Sequence, residues 1–550
     1  MITTKDIFSY EHDQKYATPV TYFSMEFAID QALKIYSGGL GFLAGSHLRS
    51  AYELKQNLVG VGILWKYGYY DQVRDTNGTM KPAFIEKQYS FLEDTGIQFT
   101  IPIHDSPVHV RAWLLKPEVF KSAPLFLLST DLPENDEVSR SICHRLYDSN
   151  EATRVAQSIL LGTGGAKLLD QIGRDDSLYH MNEGHSISLN FYLYSKFKSV
   201  EEVKKRVVFT THTPEAAGNE EHAYSLLQDM SFFYGLNEAE VKSILGIDGS
   251  AFNYTLGALK FAGKANAVSK LHGEVSRDMW KGNAGIAEIT SITNAQNTTY
   301  WKDAAIEKAF AAGDNQAIIA RKKEMKKALF EIVADQCGKL FDENVLTVVW
   351  ARRFAGYKRA DLLMHDWERF IKLVSNSEYP IQIIWAGKPY PQDYGAIDTF
   401  NSIINRTKAI PNCAVLTGYE LKLSAMLKKG SDVWLNNPRM YREASGTSGM
   451  TAAMNGCVNL SIPDGWIPEF AKDKENCFLI QPAPDHLSFE EKDRLEAQTL
   501  VETLENDVLP LYYKDQDKWL SIVKTAAAEV APAFDSGRMA AEYYEVMFAR

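Results

Sequence analysis

From about residue 325 the chain alternates short apolar runs with amphipathic stretches, and this rhythm restricts the fold more than any other feature. The runs are Leu346–Trp350, Ile381–Trp385, Ala414–Leu416, Val433–Asn436, Val458–Ile462 and Phe478–Ile480. They are short, apolar and often β-branched, as parallel strands buried on both faces should be. Between them, Asp361–Val374 sets Leu362, Leu363, Trp367, Phe370, Ile371 and Val374 at helical spacing. Repeated β-α units of this length predict a doubly wound sheet that binds ligands at the carboxyl ends of its strands.

The first half is less regular. It offers a helix over Glu151–Leu169 and strands at Leu58–Trp65, Val108–Leu115, Leu125–Leu128 and Val207–Thr211, and reads as a second α/β domain with β excursions. The charged helical segment Asp303–Lys327 leads across the boundary. The expected domains are 1–320, 321–500 as the Rossmann-like donor domain, and 501–550 as helices packing back on the first. Two α/β domains facing one another predict an active site in the cleft between them.

Composition narrows the chemistry. A net charge of -11 argues against a nucleic-acid binder and suits a protein of neutral or polyol substrates. The cysteines at 143, 337, 413, 457 and 477 are scattered, odd in number and without a C-x-x-C pair, the usage of a reducing, cytoplasmic compartment. No run approaches the length of a membrane helix, and the N-terminus shows no secretory signal.

Several motifs carry chemistry. In Tyr36–Gly45, Y-S-G-G-L-G-F-L-A-G, the glycines Gly38, Gly39 and Gly41 can bring backbone N–H groups to an anion, although the same residues also make plain turns. In Trp350–Arg359, W-A-R-R-F-A-G-Y-K-R, Arg352, Arg353, Lys358 and Arg359 follow an apolar strand, where so many cations call for an anion, the alternative being a solvated basic turn. His180 and His185 in H-M-N-E-G-H are five apart, poor spacing for one helix face, so they read as structural and no metal site is expected. Residues 442–456 read R-E-A-S-G-T-S-G-M-T-A-A-M-N-G.

Taken in order over most of the chain, these segments resemble the short form of the α-glucan phosphorylases, the glycogen, starch and maltodextrin phosphorylase family. The resemblance implies a GT-B glycosyltransferase fold of two Rossmann-like α/β domains, and commonly a homodimer. It places Arg353 and Lys358 on the transferable phosphate with Tyr357 beside them. His212, in V-V-F-T-T-H-T-P-E, would set its carbonyl near the anomeric carbon. Asn294 and Glu443 would hold sugar hydroxyls, Trp301 would lie beside the cofactor, and Ser445, Gly446 and Thr447 would donate N–H groups to sugar or phosphate. The long members' regulatory leader is expected to be absent. Gly356 replaces the family's acidic residue, as in shorter members, and Ala295 replaces a glycine.

One position departs more seriously. The family holds pyridoxal phosphate as a Schiff base on a lysine, and Thr451 stands there. A hydroxyl cannot form an imine, so no covalent cofactor is expected. The emptied anion pocket could take a nucleotide-diphosphate sugar, whose leaving group needs no cofactor acid. The sequence therefore predicts a retaining glucosyltransferase moving glucose from such a donor to an α-glucan. The alternatives are an α-glucan phosphorylase releasing glucose 1-phosphate with non-covalent or no pyridoxal phosphate, and an inactive glucan-binding subunit.

Overall fold

The computed structural model describes residues 4–549, which form two compact α/β units, each assembled from separate stretches of chain. Among the described residues the first comprises 4–70, 84–297 and 536–549, and the second 71–83 and 298–535.

The second unit carries the predicted doubly wound sheet. Its strands lie in the order Cys413–Leu416, Ile381–Ala386, Leu346–Ala351, Val433–Asn436, Val458–Ser461 and Cys477–Leu479, all parallel. Numbered along the chain this is 3-2-1-4-5-6, so the order reverses between Leu346–Ala351 and Val433–Asn436. Every residue of these two strands is buried, which explains a pattern that is apolar except at Thr347 and Asn436. On one face, Leu329 and Val333 of helix Asn315–Cys337 and Leu427 of helix Leu421–Gly430 pack with Val349, Ile384 and Trp434. A buried ion pair sits at the foot of the sheet: Lys326 meets Asp432 and donates to Val345 O at 2.7 Å, while Asp432 accepts the Thr347 N–H at 2.9 Å.

The first unit has a nine-stranded sheet. Its order is Ile289–Ser291, Lys264–Ala267, Val207–Thr210, Leu178–Asn182, Val20–Phe23, Leu58–Ile63, Leu125–Ser129, Ser106–Leu115, Glu93–Ile103. The first seven run parallel, Ser106–Leu115 runs antiparallel to them, and Glu93–Ile103 pairs antiparallel with Ser106–Leu115. Its order reverses at Val20–Phe23, so residues following Val20–Phe23 and Leu178–Asn182 gather at a second switch point.

The observed division differs from the expected one in three places. The second unit begins at Thr298 rather than 321, because helix Thr298–Trp301 already packs on helix Ser448–Met454. The C-terminal helices divide. Gln516–Ala533 packs on Ser448–Met454 in the second unit, and of the described C-terminal residues only 536–549 belong to the first, where Ser536–Glu542 lies on helix Gly39–Glu53. Third, the hairpin Asp71–Ala83 leaves the first unit's sequence to join the second. Gln72 anchors it, donating to Gly387 O at 2.8 Å and accepting the N–H groups of Gly418 and Tyr419 at 3.0 and 3.1 Å.

Candidate active site

In the second unit the charged residues meet at the carboxyl ends of the two central strands. Arg352, next after Leu346–Ala351, is buried and donates to Leu435 O at 3.0 Å and to the Asn436 side chain. Its Nη1 lies 3.9 Å from the Glu443 carboxylate, to which Lys358 Nζ donates at 2.9 Å. Burial pushes the Glu443 carboxyl up, but Lys358, Arg352 and Arg353 outweigh it and hold the group below its usual range. The structure thus groups Glu443 with Lys358 and the arginine pair. Tyr357, in the turn Gly356–Lys358, lies under the Lys358 ammonium, whose nitrogen is 5.3 Å from the ring centroid.

The four cations do not share one task. Arg353 is exposed, whereas Arg359 is buried and satisfied by its own chain. It donates to Asn437 O and Pro438 O at 2.9 and 2.8 Å and pairs with Asp493 and Glu496. The expectation that the whole run answers an external anion is corrected at this residue: helix Phe489–Thr503 supplies its counter-charge.

The Glu443 loop is held by a residue that the sequence did not single out. Asp464 accepts the N–H groups of Arg442 and Glu443 on one oxygen, at 3.0 and 2.9 Å, and that of Gly465 on the other. Burial pushes its carboxyl up to about 7. Gly446 has φ 86°, a conformation that favours glycine, and Ser445 follows Glu443 into the fold with a buried Oγ that has no hydrogen-bond partner. Arg352 Nε is likewise buried and unmatched. Such atoms are costly unless a ligand completes them. Thr447 then leads into helix Ser448–Met454.

Thr451 is fully buried on that helix, and its hydroxyl donates to Ser448 O at 3.0 Å. Position 451 therefore does not fit a covalent pyridoxal phosphate. Lys428, which the sequence gave no reason to choose, is 1% exposed, and its Nζ lies 3.8 Å from the centroid of the Trp301 ring. Lys388 is also buried, 3.4 Å from Glu420.

In the first unit the glycine loop meets an internal anion. Glu26 accepts the N–H groups of Ser37 and Gly38 at 2.6 and 3.0 Å, the Ser37 hydroxyl at 2.9 Å and the Tyr147 hydroxyl at 2.8 Å. The Gly38 N–H is thus already engaged. A side chain at Gly41 would meet the Glu26 carboxylate at 2.7 Å, while Gly38 and Gly39 have open space beside them. His212 donates its N–H to Glu183 at 2.7 Å, its Nε2 is 2.7 Å from Asn182 Oδ1, and burial pushes its imidazole down to about 3. A neutral ring with Nε2–H directed to Asn182 is the consistent tautomer. Glu183 sits at φ 72° and ψ 170°, a strained backbone for a residue with a side chain. His180 is buried in its strand against Thr210, 2.8 Å away. Asn294 is buried, and its Oδ1 has no partner.

The family profile described as carbohydrate phosphorylase matches residues 277–509. An uncharacterised protein of Methanocaldococcus jannaschii is 46% identical over 96% of this chain and 99% of its own length. The maltodextrin phosphorylase of Thermococcus litoralis is 33% identical over 98% of this chain and 71% of its own. For the glycogen phosphorylase of Aquifex aeolicus the figures are 31%, 98% and 87%.

Proposed function

The chain belongs to the α-glucan phosphorylase family, and on that premise we propose that it transfers a glucosyl unit between an α-glucan and inorganic phosphate. The observation that carries this reading is the convergence of Arg352, Arg353 and Lys358 on Glu443 at the switch point of the second unit's sheet. Lys358 and Arg353 bind the transferable phosphate, and Glu443 accepts hydrogen bonds from the sugar. Arg352 Nε and Ser445 Oγ, buried and unmatched, are donors suited to the same anion. In the first unit, Asn294 Oδ1 offers a buried acceptor for a sugar hydroxyl. Positive charge preorganised around a leaving phosphate stabilises the transition state more than the ground state. The free cysteines support a reducing compartment, the cytoplasm.

A second reading keeps the same residues with a nucleotide-diphosphate sugar as donor. It is favoured by the Thr451 hydroxyl, which is bound inside its own helix and can hold no aldehyde. The two readings part in one assay. The protein is incubated with maltodextrin and phosphate while glucose 1-phosphate is followed, and separately with UDP-, ADP- and GDP-glucose while nucleotide release is followed. Glucose 1-phosphate confirms the first reading. Nucleotide release with glucan extension, and no phosphorolysis, replaces it with the second. Glucan binding without turnover on any donor refutes both.

Among the described residues no helix is long and apolar enough to cross a membrane.

A further inference from the structure

We propose that Asp464 is a positioning residue for glucosyl transfer: by accepting the N–H groups of Arg442 and Glu443 it fixes the main chain that presents Glu443 to Lys358 and Arg352. The inference rests on the proposed transfer at this site for its purpose, but the order that it assigns to the loop is measurable without turnover.

The turn after strand Val458–Ser461 meets the Glu443 loop at several points. Asp464 Oδ2 takes both N–H groups and Oδ1 takes that of Gly465, so the carboxyl is spent on backbone and is 3% exposed. Two residues on, the Trp466 N–H donates to Ser445 O at 2.9 Å. Gly465, at φ 62°, lies so close to the loop that a side chain there would collide with Ser445 O. The main chain is thus tied at 442, 443 and 445, on either side of the residue that matters. From this frame the Glu443 carboxylate reaches Lys358 Nζ at 2.9 Å and Arg352 Nη1 at 3.9 Å. Arg352 has anchors of its own in Leu435 O and the Asn436 side chain, so Glu443 is the partner whose place depends on the turn.

The state of the carboxyl suits acceptance rather than charge. Burial and the like charge of Glu443 push it up, the three N–H groups pull it down, and it stands at about 7. About half of the molecules are then neutral at pH 7, and a neutral carboxyl keeps an oxygen that can accept both loop N–H groups. A side-chain amide keeps such an oxygen too, whereas a methyl group leaves two buried donors unmet. A carboxyl that only stabilised the fold would lower stability when removed and leave the rate per folded molecule unchanged. Positioning predicts a fall in that rate, because a misplacement of about 1 Å can cost about 10²-fold.

Asp464→Ala and Asp464→Asn are compared with the parent as full chains, by steady-state kinetics on the donor that the assay above selects and by peptide-resolved amide exchange. In Asp464→Ala kcat should fall about 10²-fold while KM for phosphate or the phosphorylated donor changes less than about threefold. Its 440–447 segment should exchange at least about tenfold faster, with strand Leu346–Ala351 unchanged. Asp464→Asn should return kcat to within about fivefold of the parent and the segment to the parent's exchange. A folded Asp464→Ala with the parent's kcat, or an Asp464→Asn as slow as the alanine variant, overturns the proposal. Circular dichroism checks folding, and if Asp464→Ala does not fold, Asp464→Asn decides alone by matching the parent or failing to. Absence of turnover on every donor refutes the transfer reading, and exchange then decides this one: a 440–447 segment equally protected in the parent and Asp464→Ala refutes it.

Discussion

At the scale of single residues, the basic run after Leu346–Ala351 separates into side chains that stabilise the fold and side chains available to a ligand. Arg353 is exposed and acts on Glu443 through its charge, so Arg353→Ala should lower turnover roughly 10²–10³-fold, the usual effect of losing one preorganised donor. Its unfolding free energy should stay within about 0.5 kcal/mol of the parent. Arg352→Ala should lose activity and also about 1–3 kcal/mol of stability, because Leu435 O and the Asn436 side-chain Oδ1 lose their buried donor. Steady-state rates and urea melts on the two variants separate these outcomes, and equal loss of stability in both would remove the distinction. Titration gives a second test. Lys428 is held at about 7 in the fold against 10.5 in the open chain, so between those values the unfolded chain binds more protons and stability rises with pH. Asp464 goes from 3.8 to about 7, so its contribution is complete below pH 4 and is lost as pH rises through 7. Each slope is at most about 1.4 kcal/mol per pH unit. Lys428→Met should flatten the rise above pH 7, and urea melts across pH 5–10 would show it. The basic run 352–359 was legible because dense charge beside an apolar strand is a local signal, whereas Arg353 and Lys358 within it, and Glu443, were singled out by the family resemblance. Asp464, Glu26 and Lys428 were not, since what singles them out is burial against residues remote in sequence.

At the scale of elements, the six strands of the second unit were readable because burial on both faces leaves mainly apolar runs. The centre of the first unit's sheet was harder to see: Val20–Phe23 and Leu178–Asn182 carry Thr21, His180 and Asn182 into the core, where His180 meets Thr210 and Asn182 meets Ser24 and His212, neighbours that periodicity does not reveal. Asp303–Lys327 was expected as one charged helical segment. It is two helices, because Gly313 at φ 62° ends Ala304–Ala312 and Asp314 caps Asn315–Cys337. The Lys326–Asp432 pair joins that second helix to the strands, and it is buried on both sides. Asp432→Ala would strand a cation in the core and remove the acceptor of the Thr347 N–H, for an expected loss of about 3–5 kcal/mol. The double variant Lys326→Met/Asp432→Leu should recover most of that loss. A denaturant series on the three proteins tests the claim, and it fails if the double variant is no better than the single.

At the scale of the whole molecule, the expected order of domains assumed that neighbours in sequence stay neighbours in space, and the chain breaks that assumption at both ends. Residues 536–549 return to the first unit after the second is complete, and the hairpin Asp71–Ala83 enters the second unit before most of it has been encoded. Neither excursion has a periodic signature, because a four-residue strand such as Asp71–Arg74, with Gln72 its one buried residue, carries almost no pattern. What fixes the hairpin is hydrogen bonding. Gln72 uses both ends of its amide on backbone groups that follow the strands Ile381–Ala386 and Cys413–Leu416, at Gly387, Gly418 and Tyr419. Met80 adds its N–H to Asn401 at 2.8 Å. Loops at the end of the second unit's sheet are therefore capped by thirteen residues encoded more than two hundred positions earlier. Gln72→Ala removes three buried hydrogen bonds while leaving the hairpin's own pairing intact, so the effect should be confined to the loops that it caps. We expect a loss of about 1–3 kcal/mol, together with faster amide exchange at Gly418 and Tyr419 than at Val348 or Ile384 in the strands. Uniform acceleration across both units would mean that Gln72 supports the whole fold, and exchange unchanged at 418 and 419 would mean that its hydrogen bonds contribute nothing there.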